Sequence, residues 1–347
     1  MAAHRRGNEA WIVGVKNSRN DLPHVRELLI PASPHSRHRA ARLIDSAAKY
    51  AIGRALTGAH VSRERESPTH IFCHNQPWML RSIRRSYPDA RLYLYVHNRI
   101  LQGIPSATIR NVVNHCDRVI CVSEFIRQDL ATRGKMTPAM TKHKTRAVLH
   151  GVNAQLFEPA KDEQPEKGFD VSYAGRLIPE KGVHILLAAL KQVAEERHVS
   201  ARIIGGRTFM PATLSSYEES LRFDFTHPNL NVEFMGPVPP DRIPRALNNA
   251  ALHVVPSVWE EPCGLSVIEG FASQACVVAT KVGGIPELAE NTRLRLVAPN
   301  NPAELATAII DYLKNPRAAR MDSMMQRDWT RGRSWEHVYS DLLNVDA

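Results

Sequence analysis

SYAGRLIPEKGVHILLAAL, residues 172–190, reads as a buried strand that ends at Ala174, a turn at Gly175 and a cation at Arg176, after which Lys181 and Gly182 open an amphipathic helix. A strand that turns directly into a helix is the repeating unit of parallel α/β proteins. Two cations at the mouth of such a turn, with a helix N-terminus beside them, suit a diphosphate. Taken alone, the segment has a second reading, in which Arg176 and Lys181 only cap and solvate a loop.

A second stretch, PSVWEEPCGLSVIEGFASQACVVAT (256–280), shifts that balance. It places Glu261 in a loop after a strand and Glu269 inside the next helix. Gly264 and Leu265 stand at that helix's start, where free backbone N–H groups can receive phosphate oxygens. The helix is apolar at Leu265, Val267, Ile268, Phe271 and Ala272, which predicts that it is largely buried. A carboxylate in such a helix costs free energy unless it is partnered. Ribose hydroxyls are one expected partner of Glu269, and an ion pair within the core is the alternative.

Working outward, apolar runs alternate with helical patterns along the whole chain. In the first half, strands are expected over 10–15, 70–73, 91–96, 118–122 and 147–149, with helices over 37–56, 79–86 and 124–133. The segment 158–168 (EPAKDEQPEKG) is polar, carries two prolines and has no periodicity, so it reads as a linker. The pattern then restarts, with strands expected over 169–174, 200–204, 231–234, 252–255 and 277–280. Helices are expected over 182–197, 264–273 and 302–313, the last opened by a proline whose missing N–H is harmless there. The reading is two doubly wound Rossmann-like α/β domains, 1–157 and 169–320, followed by a C-terminal helix, 321–347, that crosses back to the first. Ligands of such sheets sit at the carboxyl ends of the strands, here in a cleft between the domains.

Length and composition agree. A chain of 347 residues with 43% hydrophobic content can bury two cores. Its longest apolar runs fall short of the ~20 residues of a membrane span, and the N-terminus lacks the apolar core of a signal peptide, so a cytoplasmic location is expected. The five cysteines (73, 116, 121, 263 and 276) are scattered without a Cys-x-x-Cys pair, and His115 beside Cys116 has no second ligand pair. They read as small buried apolar residues, and neither a disulfide framework nor a metal site is expected. The net charge of +10 is uneven: residues 1–150 hold 25 Lys+Arg against 10 Asp+Glu, the remainder 20 against 25. The arginines are dispersed without aromatic interleaving, which argues against nucleic acid. An anionic membrane surface is the better-matched partner for the first half, with an ordinary solvated surface as the alternative.

The two motifs together, GRLIPEKG and then EPCGLSVIE, resemble the family-four retaining glycosyltransferases of the GT-B fold, whose E-x7-E motif matches Glu261 and Glu269. FMGPVPPDRIPRALNNAALHVVPS (234–257) and VGGIPEL (282–288) resemble the flanking pieces, and YVHN (95–98), CDRVICVSEFIRQDL (116–130) and LHGVNAQLF (149–157) resemble segments of the family's first half. The resemblance runs from about residue 8 to the end. It implies that Arg176 and Lys181 bind the diphosphate of a UDP- or GDP-linked sugar, helped by the amides of Gly264 and Leu265. It implies further that Glu269 holds the ribose, Glu261 faces the transferred sugar, and the base lies near Gly236–Val238. His97 would face the cleft near the reacting sugar, and Trp335 would belong to the closing helix. The acceptor would be a glycan or a lipid-linked glycan at the membrane face, in bacterial surface polysaccharide or exopolysaccharide synthesis. Asp-x-Asp is absent from the sequence, so no metal and no other cofactor is expected.

Three departures stand out. RRGNEAWIVG (5–14) resembles a stretch that normally follows a first strand, Gly-rich loop and helix, so about 30 residues of that unit are expected to be missing. Gly270 stands where an alanine is usual, and Cys263 where an aromatic is common. The first departure keeps open a catalytically impaired, partner-binding subunit, and a nucleotide-sugar epimerase of the same fold is the other enzyme reading.

Overall fold

The structure, a computed structural model, describes residues 10–15, 25–30, 69–158, 168–208, 213–248, 250–273 and 275–345. The helix expected over 37–56, most of the 158–168 linker and the RRGNE that opens the N-terminal stretch lie outside them. The chain divides into two compact units, Met1–Leu149 with Val338–Ala347, and His150–His337.

In the first unit, β1 (Ala10–Val15) pairs in parallel with β2 (Val25–Ile30). A four-stranded parallel sheet runs in the order β3 (His70–His74), β4 (Arg91–Val96), β5 (Arg118–Cys121) and β6 (Thr145–Ala147). Leu92 through Val96 are all buried, which is the unbroken apolar run of a strand covered on both faces. Helices α1 (Leu80–Ser86), α2 (Ser106–Asn114), α3 (Glu124–Gly134) and α4 (Pro138–Lys144) connect them. The hydroxyl of Ser123 accepts from the Ile126 amide and caps α3. The strand expected over 147–149 begins earlier, at Thr145. Helix α4 runs straight into it, and the buried Thr145 hydroxyl donates back to the Thr141 carbonyl at 2.7 Å.

The second unit is a six-stranded parallel sheet in the order β12 (Arg295–Val297), β11 (Cys276–Thr280), β10 (Ala250–Val255), β7 (Phe169–Ala174), β8 (Val199–Ile204) and β9 (Leu230–Gly236). The chain therefore builds outward from β7 through β8 to β9, then returns and builds the other way from β10. The reversal falls between β7 and β10, and such a switch point is where parallel α/β sheets open a crevice for ligands. Helix α5 (Val183–Glu196) buries Val183, Leu186, Leu187, Leu190, Val193 and Ala194, the i, i+3, i+4, i+7 stripe of a helix on a sheet. They join Val171, Tyr173, Val254 and Val278 of the strands in one core. Helices α6 (Ser216–Phe223), α7 (Ile243–Leu247), α8 (Leu265–Ala272), α9 (Pro302–Lys314), α10 (Pro316–Arg331) and α11 (Trp335–Leu343) complete the chain. Among the described residues, no helix is long and apolar enough to cross a membrane.

Candidate functional site

The carboxyl ends of β7 and β10 carry the two sequence motifs, and the backbone forces them together. Beyond Ala174, the Gly175 amide donates to the Ile204 carbonyl at 3.0 Å, and the Leu177 amide donates to Gly206 at 3.0 Å. The turn bearing Arg176 is thus strapped to the end of β8. Gly205, at φ +130°, makes the fit possible, since a Cβ there would lie 1.9 Å from the Gly175 carbonyl oxygen. From below, the buried Tyr173 hydroxyl donates to the Arg176 carbonyl at 2.9 Å. The Arg176 side chain projects into solvent.

The short 3-10 turn Pro179–Lys181 then brings Lys181 against the second motif. The Val258 amide donates to the Glu180 carbonyl at 3.0 Å. Lys181 Nζ donates to Glu261 Oε1 at 2.6 Å, across 80 residues of sequence. The same oxygen accepts from Ser257 Oγ at 2.5 Å, and Thr280 Oγ1 holds the Ser257 carbonyl at 2.6 Å. Glu261 is buried, and its charge is matched by a cation and a hydroxyl. Its main chain is fixed as well: the Gly284 amide donates to the Glu261 carbonyl at 2.7 Å, which places the VGGIPEL loop beside it. Lys181 also lies 5.4 Å from the centre of the Trp259 ring.

Gly264, at φ +76°, opens α8. Its N–H and that of Leu265 have no acceptor among the described residues, as expected of a first helical turn. Glu269 is half-buried in the same helix. No donor or cation reaches its carboxylate among the described residues, and burial pushes its pKa up to about 7. The core ion pair considered for it is therefore absent among those residues. Gly236 belongs to the same neighbourhood, its carbonyl accepting from the Gly205 amide at 2.9 Å. Val238 is half-buried two residues on.

His97 lies in the first unit, at the end of β4, and is not a lone histidine. Its Nε2 is 2.8 Å from Nδ1 of His74 at the end of β3, with the rings nearly parallel, and its amide donates to Asn75 Oδ1 at 2.8 Å. One proton lies between the two rings, so the tautomer of each sets the other. Burial lowers the pKa of His74 from its ordinary value. Sequence reasoning missed His74 and Ser257. The signal for His74 was the parallel pairing of HIFCH with RLYLYV, which aligns His74 with Tyr95.

Residues 168–315 match the family described as glycosyl transferases group 1. Those residues are similar to the glycosyltransferase domains of that group. Spore coat protein SA of Bacillus subtilis is 27% identical over 307 residues, covering 83% of this chain and 80% of its own length. Alpha-maltose-1-phosphate synthase of Mycolicibacterium smegmatis is 28% identical over 255 residues, covering 68% and 64%. Among solved structures, HepE of Anabaena in complex with UDP superposes with a TM-score of 0.72 at 18% identity, covering 93% of this chain and 86% of that one. Sucrose-phosphate synthase of Thermosynechococcus elongatus gives 0.76 at 21% identity, covering 99% and 90%. The second unit and the parallel α/β unit before it thus have the architecture of the two halves of a GT-B fold.

The unpartnered Glu269 of this domain has a measurable signature. Folding raises its pKa from 4.5 to about 7, so between those values the folded protein holds a proton that the unfolded chain releases. Stability contributed by the protonated group is complete below pH 4.5 and is lost as the pH rises to about 7. Glu269→Gln removes that loss. Thermal melts are expected to show the variant more stable than the parent at pH 8 and equal to it near pH 4.5.

Proposed function

We propose that the chain is a retaining glycosyltransferase that moves a sugar from a UDP- or GDP-linked donor to a glycan or lipid-linked acceptor. The observation that carries this reading is the convergence at the switch point of an exposed Arg176, the Lys181–Glu261 pair, two free amides at Gly264 and Leu265, and a carboxylate without a donor at Glu269. A nucleoside diphosphate supplies what each lacks. Its phosphates answer Arg176, Lys181 and the helix start. Its ribose hydroxyls donate to Glu269, a pairing that favours the ionised carboxylate. The base lies along Gly236–Val238.

Breaking the bond to the anomeric carbon leaves negative charge on the diphosphate and positive charge on the sugar. Arg176, Lys181 and the first turn of α8 stabilise the first without reorganising. Glu261, its oxygen already shared with Lys181 and Ser257, faces the second. Positive charge for the leaving group comes from these groups with no metal. The acceptor attacks from the face the diphosphate leaves, with a phosphate oxygen taking its proton. The excess of Lys and Arg over residues 1–150 fits the inner face of an anionic membrane, where surface polysaccharide or exopolysaccharide is built.

Calorimetric titration with UDP and GDP, followed by turnover of a panel of nucleotide sugars, tests the reading. Binding of one nucleotide and slow release of it from one donor are expected. Failure to bind either nucleotide defeats the proposal. Binding without turnover indicates an inactive subunit, and an isomerised nucleotide sugar indicates an epimerase.

A further inference from the structure

Gly270 lies in α8 directly after Glu269, and the donor site does not use it. What it faces lies beneath the helix. His253, on β10, is fully buried, and a Cβ on Gly270 would lie 2.6 Å from its Cδ2 and 2.9 Å from Cγ2 of Val277. One turn earlier on the same face of α8, Ser266 Oγ is 3.3 Å from His253 Nε2. The helix is therefore seated on an imidazole at two points.

The direction of the hydrogen bonds can be worked out. Ser266 Oγ donates its single proton to the Ala174 carbonyl at 3.0 Å. It must then accept from His253, so Nε2 carries the proton and Nδ1 is bare. The bare nitrogen accepts from Ser172 Oγ at 3.1 Å, a shorter contact than the 3.3 Å from that hydroxyl to the Leu252 carbonyl. Burial lowers the ring's pKa to about 4, so the imidazole is neutral in the folded protein at ordinary pH, as this chain requires. Ser172, His253, Ser266 and Ala174 form one directed line from β7 through β10 to the first turn of α8 and back to the end of β7.

Both ends of that line matter. Ala174 immediately precedes the Gly175–Arg176 turn, and Ser266 immediately follows the free amides of Gly264 and Leu265. We propose that the Ser172–His253–Ser266 line is a positioning device that sets the spacing between the Arg176 turn and the start of α8, and that Gly270 is the residue that admits it. His253 touches no phosphate and acts through Ser266. The inference rests on the reading of these amides as a diphosphate site. It adds that the spacing of the anion site is held by a buried imidazole lying under a glycine.

The test uses UDP and GDP as probes on the full chain. Ser266→Ala keeps the amide and the helix but cuts the line at its site end. Ser172→Ala cuts it at the far end, on a residue remote from the phosphates. Each is expected to weaken binding of the nucleotide that the parent binds by about three- to tenfold, the worth of one neutral hydrogen bond. A merely structural role would lower the melting temperature and leave the dissociation constant where it was. Gly270→Ala is expected to lower the melting temperature in the parent and to lower it less in a His253→Ala background, where the ring is gone and only the Val277 methyl remains in the way. Parent-like nucleotide affinity in both folded serine variants overturns the inference and leaves the donor site standing. A parent that binds neither nucleotide overturns the donor-site reading instead.

Discussion

Replacing Lys181 by alanine is expected to reduce sugar transfer about 100- to 1,000-fold, the usual cost of one preorganised charge aimed at a developing anion. The side chain has an ion pair in the structure and one proposed duty. It holds Glu261 Oε1 at 2.6 Å, and in the proposed donor site it also supplies positive charge for the diphosphate. Removing it leaves Glu261 with the Ser257 hydroxyl, so the fold is expected to survive while the carboxylate loses its cation. The measurement is nucleotide release from the preferred donor, with a thermal melt as control. Lys181→Arg keeps the charge and is expected to recover part of the rate. A folded Lys181→Ala protein with near-normal turnover would remove this residue from the proposed machinery.

The second large effect is structural. Gly182 sits at φ +69°, and a Cβ on it would lie 1.9 Å from the Pro256 carbonyl oxygen. Flexible side-chain atoms could move aside, but here the obstacle is the backbone of β10's own exit. Gly182→Ala is expected to cost about 3 kcal/mol, combining left-handed backbone strain with displacement of one motif from the other. Gly236 provides the control, because it has a similar φ of +73° and an added methyl there would meet nothing within 4 Å. Gly236→Ala is expected to cost about 1 to 2 kcal/mol, the strain alone. Urea titration of the two variants separates close approach from conformation. Equal losses would show that the Pro256 contact is not what fixes Gly182.

Much of this was legible in the sequence where local pattern and chemistry coincide. The strands Arg91–Val96 and Phe169–Ala174 fall where their apolar runs place them, and the residues expected at the diphosphate lie at the ends of adjacent strands. Their partnerships were not legible. Lys181 and Glu261 were read as two separate contributions, because nothing in a linear chain shows that β10 returns to lie beside β7. Nor does the sequence show that the Ser257 hydroxyl donates to Glu261. The single helix expected over 321–347 is two, α10 and α11, and α10 starts earlier, at Pro316: its sequence, PRAARMDSMMQRDWTR, is dominated by charge, and its buried face is made of Ser323, Gln326 and Thr330. Strand β2 was overlooked, its six residues interrupted by Arg26 and Glu27. Gly270 was noticed as a departure, but only the position of the His253 ring gives it a reason.

The strand order also says when, during folding, this protein acquires its chemistry. β7 pairs with β8 and β8 with β9, each the next strand in the chain, whereas β10 must return past both to pair with β7. Contacts across a long loop carry their entropy cost before any reward, so they come late. The Lys181–Glu261 pair belongs to that last step. Nucleotide affinity should therefore appear after most secondary structure has formed, and substitutions at the pair should speed unfolding more than they slow folding. A chain still emerging from the ribosome would hold its cations ready and stay unable to bind a donor until β10 arrives.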